Sequence, residues 1–115
     1  MPSRSEVLAF RKATDILDWR MKQNSKPNVI HVNANEGIEH FMEKCRQCHL
    51  LAKLGHTFYT EAIFKNGLGR ADIYDVCCEY AIEIVDTEDI RKSGKSKYPC
   101  AVKFVDAKTG ESIVP

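Results

Sequence analysis

Two acidic residues stand in segments that otherwise have the composition of buried β-strands. Asp72 lies in segment 70–76 and Glu83 in segment 80–86, each among apolar and aromatic residues. If these segments form an antiparallel hairpin whose turn centres on residues 77–78, the two acids lie opposite each other with Cβ atoms about 5 Å apart. Two carboxylates at that spacing repel each other, and an ionised acid in an apolar strand is costly without a partner. A divalent cation between them would relieve both costs.

The chemistry available to such a pair is that of a hard metal ion. Carboxylate oxygens are the ligands that Mg²⁺ and Mn²⁺ prefer, and the bound ion can polarise a phosphoryl group and activate water. Glu61 lies on the preceding predicted strand and can join the pair from the side. The spacing alone also fits a half-exposed hairpin that carries ordinary surface acids, so it leaves both interpretations open.

The elements that would position these acids follow from apolar periodicity and turn residues. Helices are expected over 3–23 and 36–54, with a short helix from Thr87, and strands over 57–64, 70–76, 80–86 and 100–105. The second helix is expected to turn one apolar stripe to the core: Ile38, Phe41, Met42, Cys45, Cys48, Ala52 and Leu54. The order predicts an α/β domain with a mixed four-stranded sheet flanked by helices.

Length and charge narrow the class of protein. The 115 residues predict one domain, 1–115, made of an N-terminal helix and connection (1–35), a core (36–106) and a tail (107–115). The sequence has no apolar run long enough for a membrane span and no apolar secretion signal, so a cytoplasmic protein is expected. The net charge of +1 is low for a protein that coats nucleic acid. A local basic cluster nevertheless occurs within 91–97.

The acids carry a resemblance to a known family. Glu61, the run Gly69-Arg70-Ala71-Asp72 and the run Ile82-Glu83-Ile84 resemble the PD-(D/E)XK nuclease superfamily, and in particular its small archaeal and viral members. The likeness covers roughly residues 36–106, and the predicted helix–strand–strand–strand–helix–strand order matches the superfamily's restriction-endonuclease-like core. The N-terminal helix is extra to that core.

The resemblance assigns roles to residues. It implies that Asp72 and Glu83 bind magnesium or manganese and that Glu61 assists. The family's lysine normally follows the third-strand acid by two residues, where this chain has Val85. Some members supply the lysine from the following helix; the substitutes here are Lys92, Lys95 and Lys97, with Lys95 preferred. An acid on the helix before the strands also occurs in some members, and Glu39 and Glu43, with His40 between them, are the candidates.

The implied function is metal-dependent cleavage of phosphodiester bonds in DNA. Two-strand cleavage needs two sites, so a homodimer is a possible assembly. A second hypothesis is a catalytically inactive module of the same fold that binds nucleic acid or a protein partner. Val85 at the lysine position and the near-zero net charge favour this second hypothesis.

Five cysteines allow a further hypothesis, a structural or metal-sensing protein. An odd number without an export signal argues against disulfides, so free thiols are expected. Cys45-Arg46-Gln47-Cys48-His49 has the pattern of covalent haem attachment, but it falls within the second predicted helix, where buried structural thiols are expected instead. A zinc site made from Cys45, Cys48, Cys77 and Cys78 would require a turn at 77–78, because adjacent strand residues point to opposite faces.

Overall fold

A computed structural model describes residues 16–18, 26–86 and 98–113. Within them, one α-helix, α1 (Ile38–Lys53), is followed by strands β1 (Phe58–Ile63), β2 (Arg70–Asp75), β3 (Tyr80–Val85), β4 (Ala101–Asp106) and β5 (Ser112–Ile113), with a short 3₁₀ turn at Lys65–Gly67. No helix in these ranges is long and apolar enough to cross a membrane. The four predicted strands are confirmed, and each differs from its expected bounds by only one or two residues.

The strands form one mixed sheet in the order β1-β2-β3-β4-β5. β1, β2 and β3 are successively antiparallel, β3 and β4 are parallel, and β5 returns antiparallel to β4. A parallel pair requires a crossover connection, and most of the residues between β3 and β4 lie outside the described ranges. The predicted helix from Thr87 falls mostly in this connection, outside the described residues.

The sheet buries apolar side chains on both faces. Ile73 and Ile82 pair across β2 and β3 and contact the cluster that includes Cys48 and Leu51 of α1. Their neighbours Tyr74 and Ala81 also pair. Because successive strand residues alternate, this second pair lies on the other face, in a separate cluster. The two-sided burial explains why β2 and β3 are apolar almost throughout and why an acid in either strand is conspicuous.

The predicted N-terminal helix cannot be continuous over 3–23. At its described residues, 16–18, the chain is extended along the end of β1: Leu17 forms a bridge with Phe64, and the Asp18 amide donates to the Ile63 carbonyl at 2.8 Å. These backbone groups bond to the sheet, not to a helical turn, and Leu17 is fully buried. The rest of the predicted helix lies outside the described residues.

The predicted buried face of α1 is confirmed at Cys48 and is wrong at most of its other positions. Ile38, Met42 and Leu54 are exposed among the described residues, while the buried face carries Glu43, Lys44, Gln47, Cys48 and Leu51. Three of these five are polar, and each makes side-chain hydrogen bonds that make its burial possible. A count of apolar positions could not identify this face because it does not record which polar groups find partners.

The C-terminal part of the chain contains a strand that the sequence did not predict. Residues 112–113, expected in a tail, form β5, so the sheet has a fifth, very short strand.

All five cysteines are free. Cys48 is buried in the core below α1, and burial raises its thiol pKa to about 12. Cys77 and Cys78 are exposed in the β2–β3 turn, and the four cysteines considered as an alternative zinc site do not form a cluster among the described residues.

The two leucines near the end of α1 provide a matched test of its orientation. Leu51 is 5% exposed and Leu54 is 69% exposed. Leu51→Ala should lower the free energy of unfolding by about 2–5 kcal/mol, because it leaves a cavity between α1 and the sheet. Leu54→Ala should change it by less than about 0.5 kcal/mol. Chemical denaturation measures both, and equal effects would contradict the observed face.

Candidate functional site

Asp72 and Glu83 meet where β2 and β3 separate. The β2–β3 ladder joins Ile73 to Ile82, and the same register continued by one residue places Asp72 opposite Glu83, as predicted. At this position each side chain bonds to the facing backbone. The Asp72 amide donates to Glu83 Oε1 at 3.1 Å, and the Ile84 amide donates to Asp72 Oδ2 at 2.8 Å. The two carboxylates therefore bridge the opening between the strands and are held firmly in place.

The negative charge of Glu83 is offset less by its surroundings than that of Asp72. Its burial and the nearby charge of Asp72 raise its pKa to about 7, against a usual 4.5. The hydrogen bonds that Glu83 accepts from the Tyr98 hydroxyl and the Asp72 amide oppose this rise only in part. A carboxylate with this pKa is partly protonated at neutral pH. Any cation that approached the pair would favour its ionised form.

Tyr98 forms a hydrogen bond with Glu83. Its hydroxyl lies 2.9 Å from Glu83 Oε1 and 2.7 Å from the Arg70 carbonyl oxygen. Gly69 makes room for the Tyr98 ring: a Cβ atom at that position would lie 2.6 Å from the ring. Sequence reasoning missed Tyr98, since its position in the chain gives no sign that it returns to β2 and β3.

His40 supports Asp72 from α1. Its Nε2 lies 3.2 Å from Asp72 Oδ2, and its Nδ1 lies 2.7 Å from Glu36 Oε2. The hydrogen bond to Asp72, together with both negative charges, raises the His40 pKa to about 9 although burial opposes this. His40 is therefore a cation at neutral pH and already neutralises part of the charge on Asp72.

Glu61 occupies the third place in the same row of acids. The β1–β2 register pairs Thr60 with Ile73 and Ala62 with Ala71, so Glu61 lies between these pairs, across from Asp72. Its backbone φ is 50°, which is rare for a residue other than glycine. Its carboxylate is held by two cations, with Oε1 at 3.3 Å from Lys44 Nζ and Oε2 at 3.1 Å from Arg70 Nε. Glu61 is thus brought to the site, as expected, but it is already paired.

Lys44 is the buried centre of this arrangement. Its side chain is fully buried, and its ammonium also donates to Glu36 Oε1 at 2.7 Å and to the His31 carbonyl at 2.7 Å. Burial lowers the Lys44 pKa, but the hydrogen bond and charge of Glu36 outweigh this and raise it above its usual value. Sequence reasoning missed both Lys44 and Glu36, because a lysine on a helix is normally a solvent-facing residue.

Asp72 lines a cleft of about 690 Å³, and Glu83 is held beside Asp72 but is not among the described residues that line the cleft. Among the described residues that line it, the basic groups are His40 and Arg70, and the acids are more numerous: Glu36, Glu39, Glu61, Asp72 and Asp86. The cleft therefore attracts cations. A phosphate group could enter it only with a bound cation or with basic groups from another segment.

The remaining predicted residues fall into three groups. Glu39 and Val85 line the cleft, so the position of the family's usual lysine does face it. Glu43 does not take part, because Arg46 and Gln47 hold its carboxylate elsewhere on α1. Lys92, Lys95 and Lys97 lie outside the described residues.

The carboxylates at the opening are oxygen ligands of the type that magnesium and manganese ions take. Asp72 Oδ2 and Glu83 Oε1 accept the hydrogen bonds described above, which leaves Asp72 Oδ1 and Glu83 Oε2 as the oxygens for a ligand. Mg²⁺ is commonly bound through one or two carboxylates and completes its shell with water. Asp72 at the edge of the acidic cleft and Glu83 fixed beside it are two carboxylates of this kind.

The buried ammonium of Lys44 provides one test of this network. Lys44→Met keeps most of the unbranched side chain but removes the ammonium, which leaves Glu36 and Glu61 without their buried partner. It should lower the free energy of unfolding by about 3–5 kcal/mol. Arg70→Met removes the other, exposed partner of Glu61 and should cost less than about 1 kcal/mol. Denaturant titration distinguishes the two, and a neutral Lys44→Met would show that the buried pairs contribute no stability.

The raised pKa values predict how stability depends on pH. His40 contributes stability that is fully present below its usual pKa of 6.5 and is lost as the pH rises through about 9. Glu83 acts in the same direction, because its proton is bound more tightly in the fold, between pH 4.5 and about 7. Without divalent cations, the free energy of unfolding should fall steadily from pH 5 to about pH 9.

Substitution of histidines on α1 isolates the His40 contribution. His40→Gln should remove the part of the decline above pH 6.5, on the order of 1 kcal/mol. His49→Gln, at an exposed position on the same helix, should leave the decline unchanged. Thermal or urea unfolding over a pH series measures it, and an unaltered slope in His40→Gln would show that the Asp72 contact is not formed.

Comparison with known proteins identifies no relative of this chain. No protein-family model, no curated protein and no solved structure matches it. The function must therefore be inferred from the site itself.

Proposed function

We propose that this chain is a metal-dependent nuclease that hydrolyses phosphodiester bonds in DNA. The observation that carries the proposal is the pair Asp72 and Glu83, fixed opposite each other where β2 and β3 separate, with the pKa of Glu83 raised to about 7 by burial and by Asp72. Such a pair is destabilised when both acids are ionised and is stabilised by a divalent cation. The resemblance of the motif around both acids to the PD-(D/E)XK superfamily supports the same conclusion.

Each residue has a distinct role in this proposal. Asp72 and Glu83 hold Mg²⁺ or Mn²⁺, which supplies phosphoryl polarisation and activation of water when bound. The Asp72 and Ile84 amides and the Tyr98 hydroxyl orient the two carboxylates. Glu61, held between Lys44 and Arg70, assists at the edge of the site. A lysine of the basic segment 91–97, Lys95 in the first place, stabilises the developing negative charge in place of Val85.

Neutralising either metal-binding acid should separate catalysis from folding. Asp72→Asn and Glu83→Gln keep the shape and one acceptor oxygen, so both variants should fold. Both should lose Mg²⁺-dependent cleavage and bind Mn²⁺ more weakly, by about tenfold or more. Glu83→Gln should also unfold at a higher denaturant concentration than the wild type at pH 8, because a buried charge is removed. Cleavage of single-stranded, double-stranded and branched DNA, together with Mn²⁺ titration, measures these effects.

The control for these variants is Glu111→Gln, an exposed acid outside the cleft, which should behave like the wild type.

The role of the lysine is tested in the same cleavage assay. Lys95→Ala should lower the rate by about a hundredfold, on the order of 3 kcal/mol. If Lys92→Ala or Lys97→Ala has this effect instead, the mechanism stands with a different lysine. Val85→Lys would restore the family's spacing within the cleft.

The second candidate is a catalytically inactive module of the same kind, which binds nucleic acid or a protein partner. The specific observation in its favour is that His40 already neutralises Asp72, while Val85 occupies the usual lysine position. If the wild type cleaves no DNA with Mg²⁺ or Mn²⁺, and Asp72→Asn leaves Mn²⁺ affinity unchanged, the nuclease proposal is wrong and this candidate replaces it.

A further inference from the structure

A second group of ligand-type side chains lies at the opposite end of β2. His56 follows α1, Asp75 ends β2, and Cys78 lies in the turn before β3. One ligand atom from each of the three residues lies within 4.8 Å of the other two. His56 Nδ1 is 2.9 Å from Asp75 Oδ2 and 3.9 Å from Cys78 Sγ. Among the described residues, these are the histidine, cysteine and acidic side chains that come close enough together, in a group of three, to share a metal ion.

The backbone fixes two of these ligands in advance. Asp75 is fully buried, and its Oδ1 accepts hydrogen bonds from the Cys77 and Cys78 amides at 3.0 and 3.3 Å, which directs Oδ2 at His56. His56 is placed by the end of α1: Gly55 adopts a φ of 75°, and the His56 amide donates to the Leu51 carbonyl at 3.0 Å. Neither position therefore depends on the presence of a ligand.

The donor types and spacing suit zinc. Zn²⁺ binds nitrogen, oxygen and thiolate ligands together, whereas Mg²⁺ prefers oxygen alone. Tetrahedral zinc with ordinary bond lengths separates a nitrogen from an oxygen ligand by about 3.4 Å and from a sulfur ligand by about 3.6 Å. The observed distances of 2.9 and 3.9 Å differ from these by about 0.5 Å or less, which small rotations of the His56 and Cys78 side chains can supply.

The same three residue types could instead form a nucleophilic triad, but the geometry argues against this. In such a triad, the nucleophile and the carboxylate contact opposite nitrogens of the histidine ring. Here Asp75 Oδ2 and Cys78 Sγ both approach Nδ1. Because both groups approach the same ring nitrogen, the ring cannot pass a proton from one to the other. A metal ion bound by all three residues requires their ligand atoms to lie close together in this way.

We propose that His56, Asp75 and Cys78 bind one zinc ion, with water completing the shell on the exposed side. The ion joins the connection after α1 to the β2–β3 turn and so fixes the hairpin that carries Asp72 and Glu83. The site is independent of the proposed nuclease function, since it shares no ligand with the cleft. Cys77 is the natural control, because its Sγ accepts a hydrogen bond from the Thr57 amide at 3.3 Å.

Zinc titration of the full chain tests this proposal. The protein is reduced and kept under an oxygen-free atmosphere, and it competes with a chromophoric chelator for Zn²⁺. The wild type should bind one Zn²⁺ per chain. Cys78→Ser and His56→Gln should weaken binding by about a hundredfold, whereas Cys77→Ser should stay within about threefold of the wild type. Circular dichroism of each metal-free variant verifies folding, which the exposed Cys78 should not affect.

Two further measurements do not depend on variants. Bound Co²⁺ should give a thiolate-to-metal charge-transfer band, and Zn²⁺ should slow alkylation of Cys78 more than that of Cys77. The proposal is overturned if the wild type binds no Zn²⁺ at micromolar concentration. It is also overturned if Cys77→Ser or Cys45→Ala weakens zinc binding as much as Cys78→Ser does, because the metal would then belong to other thiols.

Discussion

The pairing of Ile73 with Ile82 fixes the relative position of β2 and β3, and both candidate sites depend on it. Both isoleucines are buried against α1. A slip of one residue would turn each strand's apolar set to the wrong face, so the register is strongly determined. That register places Asp72 beside Glu83 at one end of the hairpin. At the other end it places Asp75 at the start of the turn that contains Cys78, about 10 Å further along β2.

The acidic side chains around Asp72 differ in the groups that offset their negative charge. Glu36 and Glu61 share the ammonium of Lys44, and Asp72 contacts His40. Among the described residues, Glu83 accepts hydrogen bonds from the neutral Asp72 amide and Tyr98 hydroxyl, while burial and the charge of Asp72 raise its pKa. A fold that contains one undercompensated acid beside another acid gains stability from an added cation at that point.

Polar burial also explains the main errors of sequence reasoning. On α1 the exposed Met42 was expected in the core and the buried Lys44 was not expected there. Apolar periodicity assumes that a charged residue faces water, but Lys44 has an acidic partner on each of two other segments. Similarly, the N-terminal segment has a helical pattern, yet at Leu17 its backbone bonds to the end of β1 because an edge strand offers free donors and acceptors.

The sequence by itself determined the four main strands and the centre of the β2–β3 turn, and therefore the juxtaposition of Asp72 and Glu83. These are local properties: strand alternation and a short connection limit how two neighbouring segments can pair. Only the tertiary structure decided which groups surround that pair. His40, Lys44 and Tyr98 reach the site from segments distant in sequence, and His56 meets Asp75 through the end of α1. Such contacts depend on how the helix and the connections pack across the sheet, and one-dimensional spacing does not encode that packing.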